Sequence, residues 1–250
     1  MAKAVRLDKF LADAGTGTRT EVKKMIQKGQ VLVNGTVVKK PETKVSSEDR
    51  VELNGQTVGM ACEFVYILLH KPSGCISATE DAREKTVLDC IPEEMKSHRR
   101  VLSPVGRLDK DTEGLLLLTD DGAMAHALLS PGRHVEKTYY ARVDGKMTPE
   151  EKKQLEEGVD IGEKKLTLPA KLEILSASET ESEILLTIHE GKFHQVKRMT
   201  EAVGKKVTYL KRISMGPLIL PDDLGKGSCR FLTEAELDAL RQITGKPDKM

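Results

Sequence analysis

The sequence predicts an α+β protein in two parts, a small N-terminal module and a larger domain. Three observations carry this. The first 60 residues hold two short helical patterns and then a hairpin signal. From Phe64 onward, apolar β-rich runs broken by Pro and Gly recur. A chain of 250 residues suits one core of ordinary size plus an appendage better than two large domains.

The elements are taken in chain order. Leu7, Phe10, Leu11 and Ala14 fall at i, i+3, i+4 and i+7, the spacing of one buried helical face. Asp8 lies in the first turn on another face and reads as a solvated helix-start carboxylate. Gly15 stops this helix, and Thr18 caps a second, in which Val22, Met25 and Ile26 repeat the pattern before Gly29. The run "QVLVNGTVV" then reads as two short strands around Asn34-Gly35. Residues 51–65 give a strand and a turn, with Gly55 and Gly59 suggesting a flexible link and a junction near 60–64. A core strand starts in "FVYILLHKPSG" and is stopped by Pro72 and Gly74. Further on, Pro104 and Gly106 break any helix before "RLDKDTE", and "GLLLLTDDG" is a buried strand ending in a turn. In "HQVKRMTEAVG" a helix buries Val196, Met199 and Val203.

Composition narrows the function classes. No window approaches the ~20 apolar residues of a membrane helix, and "MAKAVRLDKF" lacks the apolar run of a signal peptide, so a cytoplasmic protein with no membrane partner is expected. Four cysteines without CxxC spacing suit a reducing compartment and supply no metal-ligand pattern. Net charge is only +1, but residues 1–50 carry 11 Lys or Arg against 6 Asp or Glu, and residues 191–212 carry seven against one. Two separated basic clusters on a nearly neutral chain point to a polyanion such as nucleic acid.

The tetrapeptide "RLDK" occurs twice, at 6–9 and at 106–110 within "GRLDK". The first copy opens "RLDKFLADAGTGTRTEVKKMIQKGQVLVNG", which resembles the small α-L-type RNA-binding domain shared by a ribosomal small-subunit protein, bacterial tyrosyl-tRNA synthetases and several RNA-modifying enzymes. That resemblance implies that Arg6, Lys9, Arg19, Lys23, Lys24 and Lys28 face RNA phosphates, contacts that orient an RNA without reading its sequence.

The second copy opens "GRLDKDTEGLLLLTDDG". With "EKTYYARV" at 136–143 and "EGKFHQVKRM" at 190–199, it resembles the RsuA family of RNA pseudouridine synthases. The resemblance implies a small RNA-binding domain at 1–60 and a catalytic domain at 63–245, the latter a mostly antiparallel mixed sheet flanked by helices. It implies isomerisation of a uridine in ribosomal RNA without cofactor or metal.

By the same resemblance Asp109 is the catalytic carboxylate, Tyr139 stacks on the flipped base, and Arg107 fills the gap the base leaves and contacts phosphate. Burying Asp109 under a base calls for a cation. The third motif supplies Lys197, where many relatives carry Arg, with Arg198 beside it as the alternative partner and His194 as a further RNA contact. Tyr140 is expected on the opposite side of the strand, in the core. The Lys71-Pro72-Ser73-Gly74 loop is expected beside the site without a direct chemical role.

The motif wording, with no long insertion before the third motif, looks most like the small-subunit (16S) branch, which implies a monomer acting on an assembling small subunit. Two rivals are a large-subunit (23S) enzyme and a non-catalytic RNA-binding ribosome-assembly factor. The last predicts damage to Asp109, Tyr139 or Lys197, and all three residue types are present.

Overall fold

The computed structural model describes residues 4–46, 49–58, 64–96 and 101–245. The chain forms two compact units, Met1–Val65 with Glu94–Leu102, and Tyr66–Glu93 with Ser103–Met250. Residues 59–63, across which the sequence puts the junction, lie outside the described residues.

In the first unit a short strand β1 (Val5–Arg6) leads into α1 (Leu7–Asp13) and α2 (Arg19–Gln27), then β2 (Val31–Val33), β3 (Thr36–Val37), β4 (Lys44–Val45), β5 (Val51–Leu53) and β6 (Gln56–Val58). Thr18 and Glu21 form a reciprocal capping box at the start of α2, a device worth about 1 kcal/mol. The helices close over an antiparallel sheet of order β3-β2-β5-β6, while β1 pairs with β4. Leu7, Phe10, Leu11, Val22, Ile26 and Val31 are among the residues of its core. Asn34 and Gly35 both hold positive φ, at 51° and 79°, as the tight turn between β2 and β3 requires. Asn54 and Gly55 repeat this at 51° and 80° between β5 and β6. Gly55 therefore belongs to a second hairpin turn and not to a flexible link.

One further expectation fails in this unit. Asp8 is not solvated: it is only 4 % exposed, and its carboxylate accepts two hydrogen bonds from Arg6, at 3.0 Å from Nε and 2.8 Å from Nη2. A carboxylate buried at a helix start needs a partner, and the residue two positions earlier supplies it.

The second unit is α+β. Its elements are β7 (Tyr66–Lys71), β8 (Ser103–Pro104), β9 (Glu113–Thr119), α3 (Gly122–Leu129), β10 (Lys137–Asp144), α4 (Pro149–Glu157), β11 (Lys171–Ala177), β12 (Glu181–Ile188), α5 (Gln195–Ala202), β13 (Val207–Met215), β14 (Leu218–Ile219), β15 (Cys229–Phe231) and α6 (Glu234–Thr244). Nine strands form one sheet along β11-β12-β10-β13-β9-β7-β15, with β14 attached to β13 and β8 to β9. Every pairing is antiparallel except β13 with β9, which run parallel over Lys211 opposite Glu113 and Arg212 opposite Gly114.

That seam positions the site. Gly114 has φ +107°, and a Cβ there would fall inside the backbone of Arg212, so only glycine permits this approach. Beside the seam, β9 is buried along its whole length. Its Leu115 and Leu117 pack with Leu68, Met124, Leu128 and Leu240.

Strands β10 and β12 alternate instead. Tyr139, Ala141 and Val143, with Ile184, Leu186 and Ile188, are buried on one face. The other face is half-open, and this is where Tyr140 lies. It is partly exposed and packs edge-on against Tyr209, ring centroids 6.0 Å apart. Tyr140 thus takes the opposite side of the strand but not a core position.

Candidate active site

The loop before β9 is held from below. Ser77 Oγ donates to the Leu108 carbonyl at 2.8 Å and accepts from the Leu108 amide at 2.9 Å, clamping both backbone groups of that residue. Lys71, fully buried at the end of β7, donates to the carbonyls of Thr112 at 2.8 Å, Pro72 at 3.1 Å and Lys110 at 3.3 Å. Burial pushes its ammonium below the usual lysine range. The Gly74 amide adds a bond to the Lys110 carbonyl at 2.8 Å, and the Thr112 amide closes a turn onto Asp109 at 3.1 Å. The Lys71-Pro72-Ser73-Gly74 loop is therefore part of the support beneath this segment.

From this turn the Asp109 carboxylate reaches α5. Its Oδ2 lies 3.3 Å from Lys197 Nζ and its Oδ1 3.5 Å from His194 Nε2. Lys197 is closer still to Asp111, at 2.7 and 2.9 Å to the two carboxylate oxygens. The hydrogen bond from Lys197 holds the Asp111 carboxyl below its usual range. Burial works against the Lys197 charge, but its bonds to Asp111 and Asp109 outweigh it and raise its pKa.

Arg198 turns away, toward Glu163 and the carbonyls of Phe193 and Ile161. Of the two candidate cations, Lys197 faces Asp109 and Arg198 does not. Asp111 is one of the site residues, with Ser77, Lys137 and Arg212, that the sequence does not single out. Its type and spacing were visible, but its partner comes from 86 positions away.

A cleft of about 710 Å³ opens over these groups, with Arg107, Asp109, Lys137, Tyr139, Lys197 and Arg212 in its lining. This is within the ordinary range of a small-molecule site. Tyr139 is 8 % exposed and Arg107 lies on the surface at the same cleft. At its edge Phe193 is 73 % exposed and stacks on His194, ring centroids 3.8 Å apart. Among the described residues, no cluster of three or more His, Cys, Asp or Glu is placed to hold a metal ion. No described helix is long and apolar enough to cross a membrane.

A carboxylate faced by Lys197 and His194, with an aromatic side chain in the same cleft and Arg107 at its surface, suits a base attached to a polyanion. Comparison with known proteins agrees. The RNA pseudouridylate synthase family model matches residues 65–202, and the S4 domain model matches residues 5–51. The chain is 46 % identical to the RNA pseudouridine synthase YtzG of Bacillus subtilis, over 95 % of this chain and 99 % of that protein. It is 42 % identical to ribosomal small subunit pseudouridine synthase A of Vibrio vulnificus, over 94 % and 99 %. It is also 42 % identical to ribosomal large subunit pseudouridine synthase B of Bacillus subtilis, over 95 % and 96 %. A crystal structure of a pseudouridylate synthase superposes with a TM-score of 0.68 at 38 % identity, covering 94 % of this chain and 99 % of that one. The chain belongs to the RNA pseudouridine synthase family and carries an N-terminal S4 domain.

Proposed function

We propose that the protein converts one uridine of ribosomal RNA, in 16S rRNA of an assembling small subunit, to pseudouridine, acting as a cytoplasmic monomer. The carrying observation is the placement of Asp109 and Tyr139 in one cleft, with Lys197 against the carboxylate. Residues 1–60 hold the RNA and residues 63–245 perform the chemistry. Arg19, Lys23, Lys24 and Lys28 are exposed and Lys9 half-buried, which suits contacts to phosphate, whereas Arg6, though exposed, already donates twice to Asp8.

The target nucleotide leaves its stack and enters the cleft, where Tyr139 stacks on the uracil and Arg107 at the surface contacts phosphate. Asp109 acts either as a nucleophile on the sugar or the base or as the group that drives a glycal-type elimination. As RNA covers the cleft and strips water from Asp109, Lys197 supplies the counter-charge, since an unpaired buried carboxylate costs several kcal/mol. The bond from C1′ to N1 breaks and its electron pair stays on the ring. The ring turns, C5 returns a pair to C1′, C5 loses a proton and N1 gains one. Nothing is oxidised, reduced or hydrolysed.

Small-subunit synthases of several bacteria support the 16S target, at 38–42 % identity. The 42 % identity to a large-subunit synthase favours the second reading, a 23S target. Expression of the wild type and Asp109→Asn in a host lacking its own small-subunit enzyme tests both, with pseudouridine mapped by carbodiimide-dependent primer extension. A stop in 16S rRNA with wild type alone is expected. A stop in 23S rRNA would replace the target and keep the chemistry. No stop in either, with RNA binding intact, would overturn the catalytic reading in favour of an assembly factor.

A further inference from the structure

The sheet register places Arg212 of β13 opposite Tyr139 of β10 and beside Gly114 of β9. Arg212 is 2 % exposed and Lys137, two residues before Tyr139 on the same face of β10, is 8 % exposed. Both line the cleft that holds Asp109. Arg212 spends its Nε on the Leu115 carbonyl at 2.8 Å, while its Nη2 is buried with no hydrogen-bond partner. Lys137 donates to the Val135 carbonyl at 2.7 Å. Among the described ion pairs none neutralises either side chain.

Two buried cations side by side are costly unless something anionic or strongly accepting meets them. Burial and the Arg212 charge push the Lys137 ammonium down to about 8. The arrangement is destabilising in the free protein, and both residues belong to the lining of the cleft. A buried donor with no acceptor in the protein calls for one from outside it, a water or a ligand.

We propose that Arg212 and Lys137 form the base-reading floor of the site, donating to the carbonyl oxygens of the flipped uracil and stabilising the negative charge the ring carries once its bond to the sugar breaks. This rests on the reading that the cleft takes a target uridine. When the electron pair of the N1–C1′ bond remains on the ring, it spreads over N1, O2 and O4. Donors fixed in a dry site, aimed where charge develops, stabilise that state more than the neutral base. Arginine and lysine only donate, so the same floor disfavours a ring that presents an amino group in place of a carbonyl, as cytosine does at C4. Lys197 and Asp111 have no part in this; their charges already meet one another and Asp109.

The test uses the full chain and an rRNA fragment containing the mapped target, in single-turnover assays of wild type, Lys137→Met and Arg212→Lys. The target uridine is synthesised with oxygen or with sulfur at position 2 or 4, sulfur being a poor acceptor. Lys137→Met is expected to lose about 100-fold in rate while binding the RNA within about three-fold of wild type. Sulfur at one of the two positions should slow the wild type about ten-fold and slow Lys137→Met no further, because the donor it impairs is already gone. Equal sulfur effects in both proteins, or an unchanged rate in Lys137→Met, would overturn the proposal. If Lys137→Met fails to fold, Arg212→Lys and Lys137→Arg, which keep the charge, carry the same comparison and must show altered sulfur effects. Wild type that leaves every uridine untouched would defeat the functional reading itself, a different result from any of these.

Discussion

The chain writes Arg-Leu-Asp-Lys twice and uses it in two ways. At 6–9 the tetrapeptide runs into a helix, and Arg6 folds back onto its own Asp8 through two hydrogen bonds. The pair is closed, and Asp8 is buried at 4 % exposure. At 107–110 the tetrapeptide runs into a turn and then the central strand β9. There Arg107 lies at the surface, while Asp109 meets Lys197 of α5 and His194 just before it. The four letters are identical; the residues after them decide whether the carboxylate is consumed locally or presented to a cleft. Phe10 and Leu11 continue an apolar helical face, whereas Asp111, Thr112 and Gly114 turn the chain into the parallel seam.

The largest effect expected from breaking this comparison is at Asp109. Asp109→Asn should lower the single-turnover rate of pseudouridine formation by at least about 10³-fold. Its thermal stability should change little, because the side chain meets Lys197 and His194 only at 3.3 and 3.5 Å and at partial exposure. A variant that is inactive because it unfolds would count against the assignment.

Next comes the cation. Lys197→Met should cost about 10²-fold in rate and Lys197→Arg much less, since a guanidinium can fork between Asp109 and Asp111 where the lysine divides one point charge between them. Equal loss in both variants would show that the geometry of the ammonium, and not its charge, is what Asp109 needs.

A smaller effect belongs to the N-terminal unit. Replacing Lys23, Lys24 and Lys28 of α2 and its C-terminal end with Ala removes three exposed charges. This should weaken RNA binding about ten-fold and flatten the dependence of affinity on salt by about two to three charges' worth, while leaving the chemical step at saturation unchanged. A salt titration of wild type and variant reads both quantities.

Much of this architecture is legible from local pattern. The two short helices follow from their 3.6-residue spacing and the Thr18 cap, the first hairpin from Asn34-Gly35, and β9 from its unbroken leucines. The turn that carries Asp109 follows from Pro104 and Gly106 ahead of it. The illegible part depends on pairing across the sheet. Arg212 looks like one more base in a basic segment until β13 is set beside β9 and β10. Ser77 and Lys71 become supports only when the Leu108, Lys110 and Thr112 backbone comes to them. A partial signal does exist for Lys137, because period two puts it on the same face as Tyr139, Ala141 and Val143. Tyr140 departs from expectation for a related reason: alternation gives its side of β10 correctly, but only the sheet's packing decides that this side is half-open and not core.

The smallest effect sharpens the other half of the comparison. Asp8→Asn keeps the shape of the side chain and removes its charge from a buried, doubly hydrogen-bonded pair. The Arg6 side chain is 48 % exposed, so solvent screens much of the interaction, and a loss of about 1–2 kcal/mol is expected at neutral pH. The loss should depend on pH in a defined direction. The hydrogen bonds from Arg6 hold the Asp8 carboxyl below its usual range. The stability it contributes is therefore fully present above the unfolded carboxyl's value, about 3.9, and is lost as pH falls through the folded one. The gap between wild type and Asp8→Asn in denaturant unfolding should be full at about pH 6 to 7 and should close in acid below the ordinary carboxylate range. Pseudouridine formation at saturating RNA should be untouched. A gap that persists in acid would mean that the loss comes from the Asn amide setting its own N–H donors against those of Arg6, and not from the missing charge. A loss of activity without loss of stability would give the first Arg-Leu-Asp-Lys a share in the chemistry that its closed pairing with Arg6 denies it.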